Sequence, residues 1–394
     1  MSTKAFTRLR SVARLTTLAG IAALAACADN NQTDLVAPAD QATAIRQSDD
    51  HRGHDVGAVF VTTNDVNGNA VTAFSRATDG SLSALGTFAT GGRGIGGTTD
   101  PLASQFVLTL SLDHKFLFVA NAGSNDITVF RVIQDGLKLV DRASSGGTLP
   151  VSIAATQGAI YVLNTGSNDV GIFRVGPSGK LDARGKVSLS TNASGGAEVR
   201  VSPNGSFLNV TERVSNSIDT FIIGDDGRLS GPTSSAASGQ TPFGFDYTPN
   251  GLVIVSEAGS AAASSYSQAH SGGLTALSRS ISTGGQAAPC WLIVDSNGRF
   301  AYTANAGGSS ISGFSIAGDG TLALITPGGR TGDLGTGAQP LDLDITADSR
   351  FLYVLKNGTG TVGTFAVNSN GTLTALEDTP GLGAQVGYMG LVAF

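Results

Sequence analysis

Residues Phe116–Val132 read FLFVANAGSNDITVFRV: an apolar run from Phe116 to Ala120, the polar Asn121, a turn of small residues, and an alternating segment that closes on the ring of Phe130. An unbroken apolar run is the pattern of a strand buried on both faces, and alternation that of a strand with one polar face. The unit recurs along the chain, its closing ring falling at Phe74, Phe130, Phe173, Phe221, Tyr266, Phe314 and Phe365, at spacings of 56, 43, 48, 45, 48 and 51 residues. Repeats of short strands with a period of about 40–50 residues predict an all-β fold, a seven-bladed β-propeller.

Turn residues divide each repeat into four strands, A to D. Asp79-Gly80, Asp135-Gly136, Asp226-Gly227, Asp319-Gly320 and Asn370-Gly371 mark the C to D hairpins, and Asn204-Gly205, Asn250-Gly251 and Asn297-Gly298 the A to B hairpins. Such pairs tolerate the positive φ that tight hairpins need. Strand A is expected at 106–110, 151–155, 199–202, 243–247, 291–294 and 341–345, which supplies six blades. The first repeat lacks one, while Tyr388–Phe394, YMGLVAF, has no strand B after it. This last segment is therefore expected to be the innermost strand of the first blade, joining the chain's two ends and leaving no open sheet edge.

Composition agrees with that architecture. Of 394 residues 54 are Gly and only 14% are charged, as suits a protein of tight turns and buried strands. The N-terminus carries Lys4, Arg8, Arg10 and Arg14 before a short apolar stretch ending Leu24-Ala25-Ala26-Cys27. That pattern predicts a lipoprotein-type signal peptide over 1–26, lipidation of Cys27, and a periplasmic or cell-surface protein anchored to the membrane by lipid alone. A plain signal peptide containing a Cys is the alternative. Removing the signal takes away four positive charges and no negative ones, so net charge moves from -6 to -10, which argues against nucleic acid as a partner. Residues 27–55 are polar and aperiodic and read as a flexible linker before the propeller at 56–394. His51 and His54 in that linker offer imidazoles to a metal, but a solvated tail explains them as well, and neither metal nor cofactor is expected. With Cys27 acylated, Cys290 is left without a partner, so no disulfide is expected.

Strand-B ends and strand-A starts share one face of a propeller. The residues closing strand B are expected at Asn64, Asn121, Asn164, Glu212, Glu257, Asn305 and Asn357. Asn suits these turns without any ligand, so Glu212 and Glu257 stand out as candidate catalytic carboxylates around the channel mouth. The plainer reading of Glu212 is an ion pair with Arg213 or Arg200. Arg93, Arg200 and Arg213 are candidate anion ligands, and Trp291, the sole Trp, is read either as core or as a candidate stacking surface near the channel. Cys290 is read as a buried structural thiol in preference to a nucleophile, no His lying close to it in sequence. The run Gly91–Gly97, GGRGIGG, lacks the strand-to-helix setting of a phosphate loop and is read as a flexible extension between the first two blades, with Arg93 able to reach the mouth.

The repeats LSLDHKFLFVANAGSNDITVFRV, VSPNGSFLNVTERVSNSIDTF, TPFGFDYTPNG, APCWLIVDSNGRFAYTANAGGSSISGFSIAGDGTL and DITADSRFLYVLKNGTGTVGTF resemble the bacterial β-propeller lactonase family, which includes 6-phosphogluconolactonase and carboxymuconate cyclase relatives, over residues 57–394. There is also a resemblance to YVTN-type surface repeats. The first resemblance implies lactone chemistry with a His and an Arg at strand-A starts and a Glu after strand B. Glu212 matches the Glu, whereas Pro150-Val151 and Ala197-Glu198 stand where the His and Arg-His residues would be. Two functions follow: a lipid-anchored, monomeric enzyme acting on a small lactone or sugar acid, or a non-catalytic envelope propeller that binds a protein or small molecule. Fold alone does not choose between them.

Overall fold

A computed structural model of the chain describes residues 55–384 and 387–394. The expected signal peptide, the linker up to residue 54, Cys27 and the pair His51 and His54 lie outside the described residues. The remainder forms seven antiparallel sheets in which strands follow one another outward in sequence order. Burial grades with radius. The second strand Phe116–Asn121 is buried throughout, while the outermost strand Leu229–Ala236 alternates one half-buried residue with two exposed ones. The repeating rings Phe74, Phe130, Phe173, Phe221, Tyr266, Phe314 and Phe365 are all buried between neighbouring blades.

At three of the junctions between blades, hydrogen bonds run through the very turns that divide the repeats. Tyr161 Oη donates to the carbonyl of Gly227, Tyr302 to Gly371 and Tyr353 to Gly80, at 2.8 to 2.9 Å. Gly80 is needed twice over, because its φ of +87° is left-handed and an added Cβ would lie 2.4 Å from the Phe351 ring.

The ring closes as the sequence implies. Met389–Ala393 is the innermost strand of the first sheet and pairs antiparallel with Asp55–Thr62, with Phe60 opposite Val392 and Val61 opposite Leu391. Elsewhere the inner edge of a blade presents unpaired backbone N–H groups to the channel, and such groups are costly if left unsatisfied. Side chains from the preceding blade supply the acceptors. Glu198 accepts from Phe245 N, Asp246 from Val294 N, Asp342 from Leu391 N and Asp344 from Ala393 N, at 2.7 to 3.0 Å, and Ser152 Oγ from Val199 N at 3.1 Å. The buried acids of the channel are thus edge caps.

Strand boundaries differ from expectation at three places that bear on the site. The innermost strand of the second blade is only Leu108–Leu110, because the residues before it run through the channel. The second strand of the seventh blade ends on Lys356, which pairs with Thr361, so Lys356 and not Asn357 holds the ring position of Asn121 and Glu212. In the first blade the strand ends at Thr62, and Asn64 lies beyond it in the turn with a φ of 50°.

Candidate functional site

The connection between the first two blades shapes the channel mouth. Its glycine-rich part is a folded, hydrogen-bonded loop, which corrects its reading as a flexible extension: Gly94 N donates to Asp65 O at 2.7 Å, Gly96 N to Asn64 O at 2.8 Å and Gly123 N to Arg93 O at 2.9 Å. Arg93 itself is exposed at the rim, tied through its backbone to the second blade. The following residues enter the channel and plug it. Ser104 Oγ donates to Val151 O in the third blade, and Gln105 N donates to Ala197 O in the fourth. The Gln105 side-chain amide reaches the sixth blade, exchanging two hydrogen bonds of 2.9 Å with the backbone of Leu292.

Trp291 serves this plug. It is fully buried, its Nε1 donates to Ser104 O at 2.9 Å, and its ring meets Phe243 edge-on with centroids 5.6 Å apart. With its N–H committed and its faces covered, Trp291 is a support for the plug, not the stacking surface expected of it.

Arg200 is likewise committed. Its Nε lies 2.8 Å from Asp246 Oδ1, its Nη1 3.9 Å from Glu198 Oε1, and its guanidinium sits 4.2 Å from the centroid of Phe106. The expected partnership with Glu212 is absent.

Glu212 and Glu257 are both 0% exposed. Glu257 accepts from Gly239 N at 2.7 Å, Ser264 Oγ at 2.6 Å and Ser280 Oγ at 2.7 Å, which nearly exhausts a carboxylate's capacity. Glu212 Oε2 accepts from Ser215 Oγ at 2.6 Å and Ser217 Oγ at 3.0 Å, inside its own blade. Asn121 makes the equivalent bonds to Asp126 and Thr128, and Lys356 pairs with Asp378. This ring position therefore ties the second strand to its own blade, whichever residue fills it.

Glu212 still differs from its counterparts. Its Oε1 and Asp219 Oδ1 are both buried without a hydrogen-bond partner. Burial, followed by the neighbouring Asp219 carboxyl, pushes Glu212 up to about 7. Two acids that close cannot both ionise readily. Neither predicted carboxylate, then, opens onto the mouth.

Arg213 does face it. It follows Glu212 in the turn beyond the strand, and its side chain lies 5.9 Å from the Phe243 centroid, half-buried, with Nε unpartnered. Across from it on the plug stands Asp100, whose Oδ1 is buried and unpartnered. Burial holds the Asp100 carboxyl up at about 6, opposed by attraction to Arg213 and by the Ala103 N–H. Burial also lowers the Arg213 guanidinium, against the pull of Asp100. Cys290 adjoins both, and burial raises its thiol so that it stays neutral, in keeping with a structural Cys. The mouth thus holds a donor and an acceptor, each lacking a hydrogen-bond partner at the atom named, an arrangement suited to a small polar ligand. Asp100 had no signal in the sequence, since it belongs to no repeat.

A groove of about 880 Å³ opens on the opposite face between the third and fourth blades, beside Tyr161, Pro203 and Arg228. Two of its arginines are already paired, Arg184 with Asp182 and Arg228 with Asp226. The uncompensated groups, not the larger hollow, mark the candidate site. Among the described residues no group of three or more His, Cys, Asp or Glu is disposed to hold a metal ion.

A family model described as a seven-bladed β-propeller lactonase matches residues 54–191 and 185–288. Among solved structures, the periplasmic gluconolactonase of Pseudomonas aeruginosa superposes with a TM-score of 0.67 at 18% identity, covering 86% of this chain and 98% of that one. A candidate 6-phosphogluconolactonase from Bacteroides fragilis gives 0.69 at 16% identity, covering 86% and 98%. Virginiamycin B lyase from Staphylococcus aureus gives 0.53 at 16% identity, covering 75% and 90%. At such identities these likenesses establish the fold alone. No curated protein matches the sequence.

Proposed function

Since the chain belongs to the seven-bladed β-propeller lactonase family, we propose that it binds a small lactone or sugar acid at the plugged channel mouth and opens the lactone by hydrolysis. The observation that carries this reading is the half-buried Arg213 with its unpartnered Nε, set above Phe243 at the mouth. A guanidinium in such a place binds a carboxylate or a developing oxyanion more strongly than one in open water. Arg93, exposed on the rim, is available to draw anions in.

The test is a panel of aldonolactones and their sugar acids, assayed for hydrolysis and by calorimetry with wild type and Arg213→Gln. A charge-assisted hydrogen bond of about 1.5–3 kcal/mol predicts a 10- to 100-fold weaker KM or Kd in the variant. Equal affinity of the two proteins, or no binding of any member of the panel, would sink the reading. Binding without turnover is the second reading, favoured by the enclosure of both Glu212 and Glu257. In that case the sugar acid is retained and no lactone opens.

The same proposal includes export and a lipid anchor at Cys27, supported by Leu24-Ala25-Ala26-Cys27 directly after the apolar run. Wild type is expected in the membrane fraction and Cys27→Ala in the soluble exported fraction. Identical fractionation of the two would remove the anchor.

A further inference from the structure

We propose that Asp100, carried on the plug and facing Arg213, is the general base that activates water against the lactone and then the acid that protonates its leaving oxygen. This rests on the reading of the channel mouth as a lactone site.

Three observations carry it. First, the other acids near the channel have work elsewhere. Glu198, Asp246, Asp342 and Asp344 cap strand edges, Glu257 is enclosed by donors, and Glu212 faces Asp219. Asp100 Oδ1 is buried without a hydrogen-bond partner, as Glu198 Oε1 also is, but Glu198 is fully enclosed whereas Asp100 is only partly buried. Second, Asp100 and Ala103 have φ values of 37° and 48°. Several left-handed non-glycine residues of this face recur at matching places, such as Leu149, Thr241, Ala288 and Gln339 just before the innermost strands of four blades, whereas Phe106, with a φ of 56°, belongs like Asp100 and Ala103 to the segment that plugs the channel. Asp100 and Ala103 match no repeated position, so their strain is specific to the plug, and strain of this kind gathers at functional sites. Third, the plug is held from several blades, by Ser104, Gln105 and Trp291, so that Asp100 is carried on a fixed support.

In the step proposed, the Asp100 carboxylate takes a proton from water as the water oxygen bonds to the lactone carbonyl carbon. The carbonyl π pair moves onto oxygen, and Arg213 stabilises the oxyanion. On collapse the bond from the acyl carbon to the ring oxygen breaks, and protonated Asp100 gives its proton to that oxygen. The product is a hydroxy acid, and the Asp100 carboxylate is restored. Burial holds the Asp100 carboxyl up at about 6, opposed by Arg213 and the Ala103 N–H, with Cys290 and Asp342 as the other titratable groups that feel its charge, so it is mostly ionised at neutral pH and still basic enough to act.

The experiment compares wild type, Asp100→Asn and Arg213→Gln as full chains on the lactone panel, with kcat, KM, pH profile and melting temperature measured for each. Wild-type kcat/KM should rise through about pH 6 and level off above it. Asp100→Asn should lose about 10²- to 10³-fold in kcat, with KM within a few-fold and a melting temperature at or above that of wild type. An Asp100→Asn enzyme with undiminished kcat and the same pH profile overturns the base while leaving the lactone site in place. Wild type that binds sugar acids through Arg213 but opens no lactone at any pH also overturns it. Loss of binding altogether removes the site as well.

Discussion

Deleting Tyr388–Phe394 abolishes soluble folding. Met389, Leu391, Val392 and Ala393 are all buried, and burying the three larger side chains contributes about 1.5–3 kcal/mol each. The strand also covers the inner edge of Asp55–Thr62 and supplies the N–H partners of Asp342 and Asp344. Without it each of these buried carboxyls loses the donor to its Oδ2, at about 1–3 kcal/mol each, while the N–H groups of Leu343 and Ile345 still serve Oδ1, and the first blade gains an open edge that templates aggregation. Arg76, whose Nε donates to Phe394 O at 2.9 Å, loses its partner too. Together these losses are comparable with the whole stability of an ordinary domain, about 5–15 kcal/mol. The check is expression of residues 1–387 beside the full chain, followed by sedimentation and thermal melting. A soluble truncated protein with the melting temperature of the full chain would disprove closure by this strand as a requirement for folding.

Glu212→Gln is expected to flatten the fall of stability with rising pH. The native carboxyl sits at about 7 and the unfolded one near the ordinary 4.5, so the native state holds the proton more tightly. Its stabilising contribution is therefore complete below pH 4.5 and is lost progressively as pH rises to 7. Above that range wild type must hold a buried charge beside Asp219, or deprotonate the pair as one unit. Gln keeps the shape, donates to Asp219 and does not titrate. The difference in unfolding free energy between the two proteins should thus shift in favour of the variant by on the order of 2–3 kcal/mol between acid and mildly alkaline pH. Asp344, pushed up to about 7 by burial, and Asp100 at about 6 titrate in both proteins and cancel in that difference. Urea melts of both proteins at pH 4.5 and 8 measure it, and parallel slopes would mean that the Glu212 carboxyl is not held up in the folded protein.

The two carboxylates picked from the sequence show where residue reading stops. Glu212 and Glu257 were conspicuous because they replace Asn at a repeated position, and the structure does place them at that position. Their surroundings explain their chemistry better than their identity does. Ser215 and Ser217 engage one, while Ser264, Ser280 and Gly239 engage the other, and both are closed to solvent. Arg213 stands beside Glu212 in the sequence, yet it lies in the turn beyond the strand, half-buried beside Phe243, while Glu212 is enclosed within its blade. Trp291 and Arg200 were placed near the channel correctly but prove to be structural, each consumed by a contact with the plug or its flanking acids.

What the sequence by itself determined is the seven-fold repeat, the strand order within it, the hairpins and the closure by the C-terminal strand. These rest on short-range information, since the two-residue period of a strand and the φ preference of Asp-Gly are properties of neighbours along the chain. Only the tertiary structure decided which polar groups stay available for chemistry. The answer turns on pairings such as Gln105 with Leu292, 187 residues apart, through which a loop that breaks the repeat fills the channel. Satisfying buried hydrogen bonds is a property of the closed ring, and Asp100 and Arg213 stand out as an oppositely charged pair, each with an unpartnered atom on a side chain that is only partly buried.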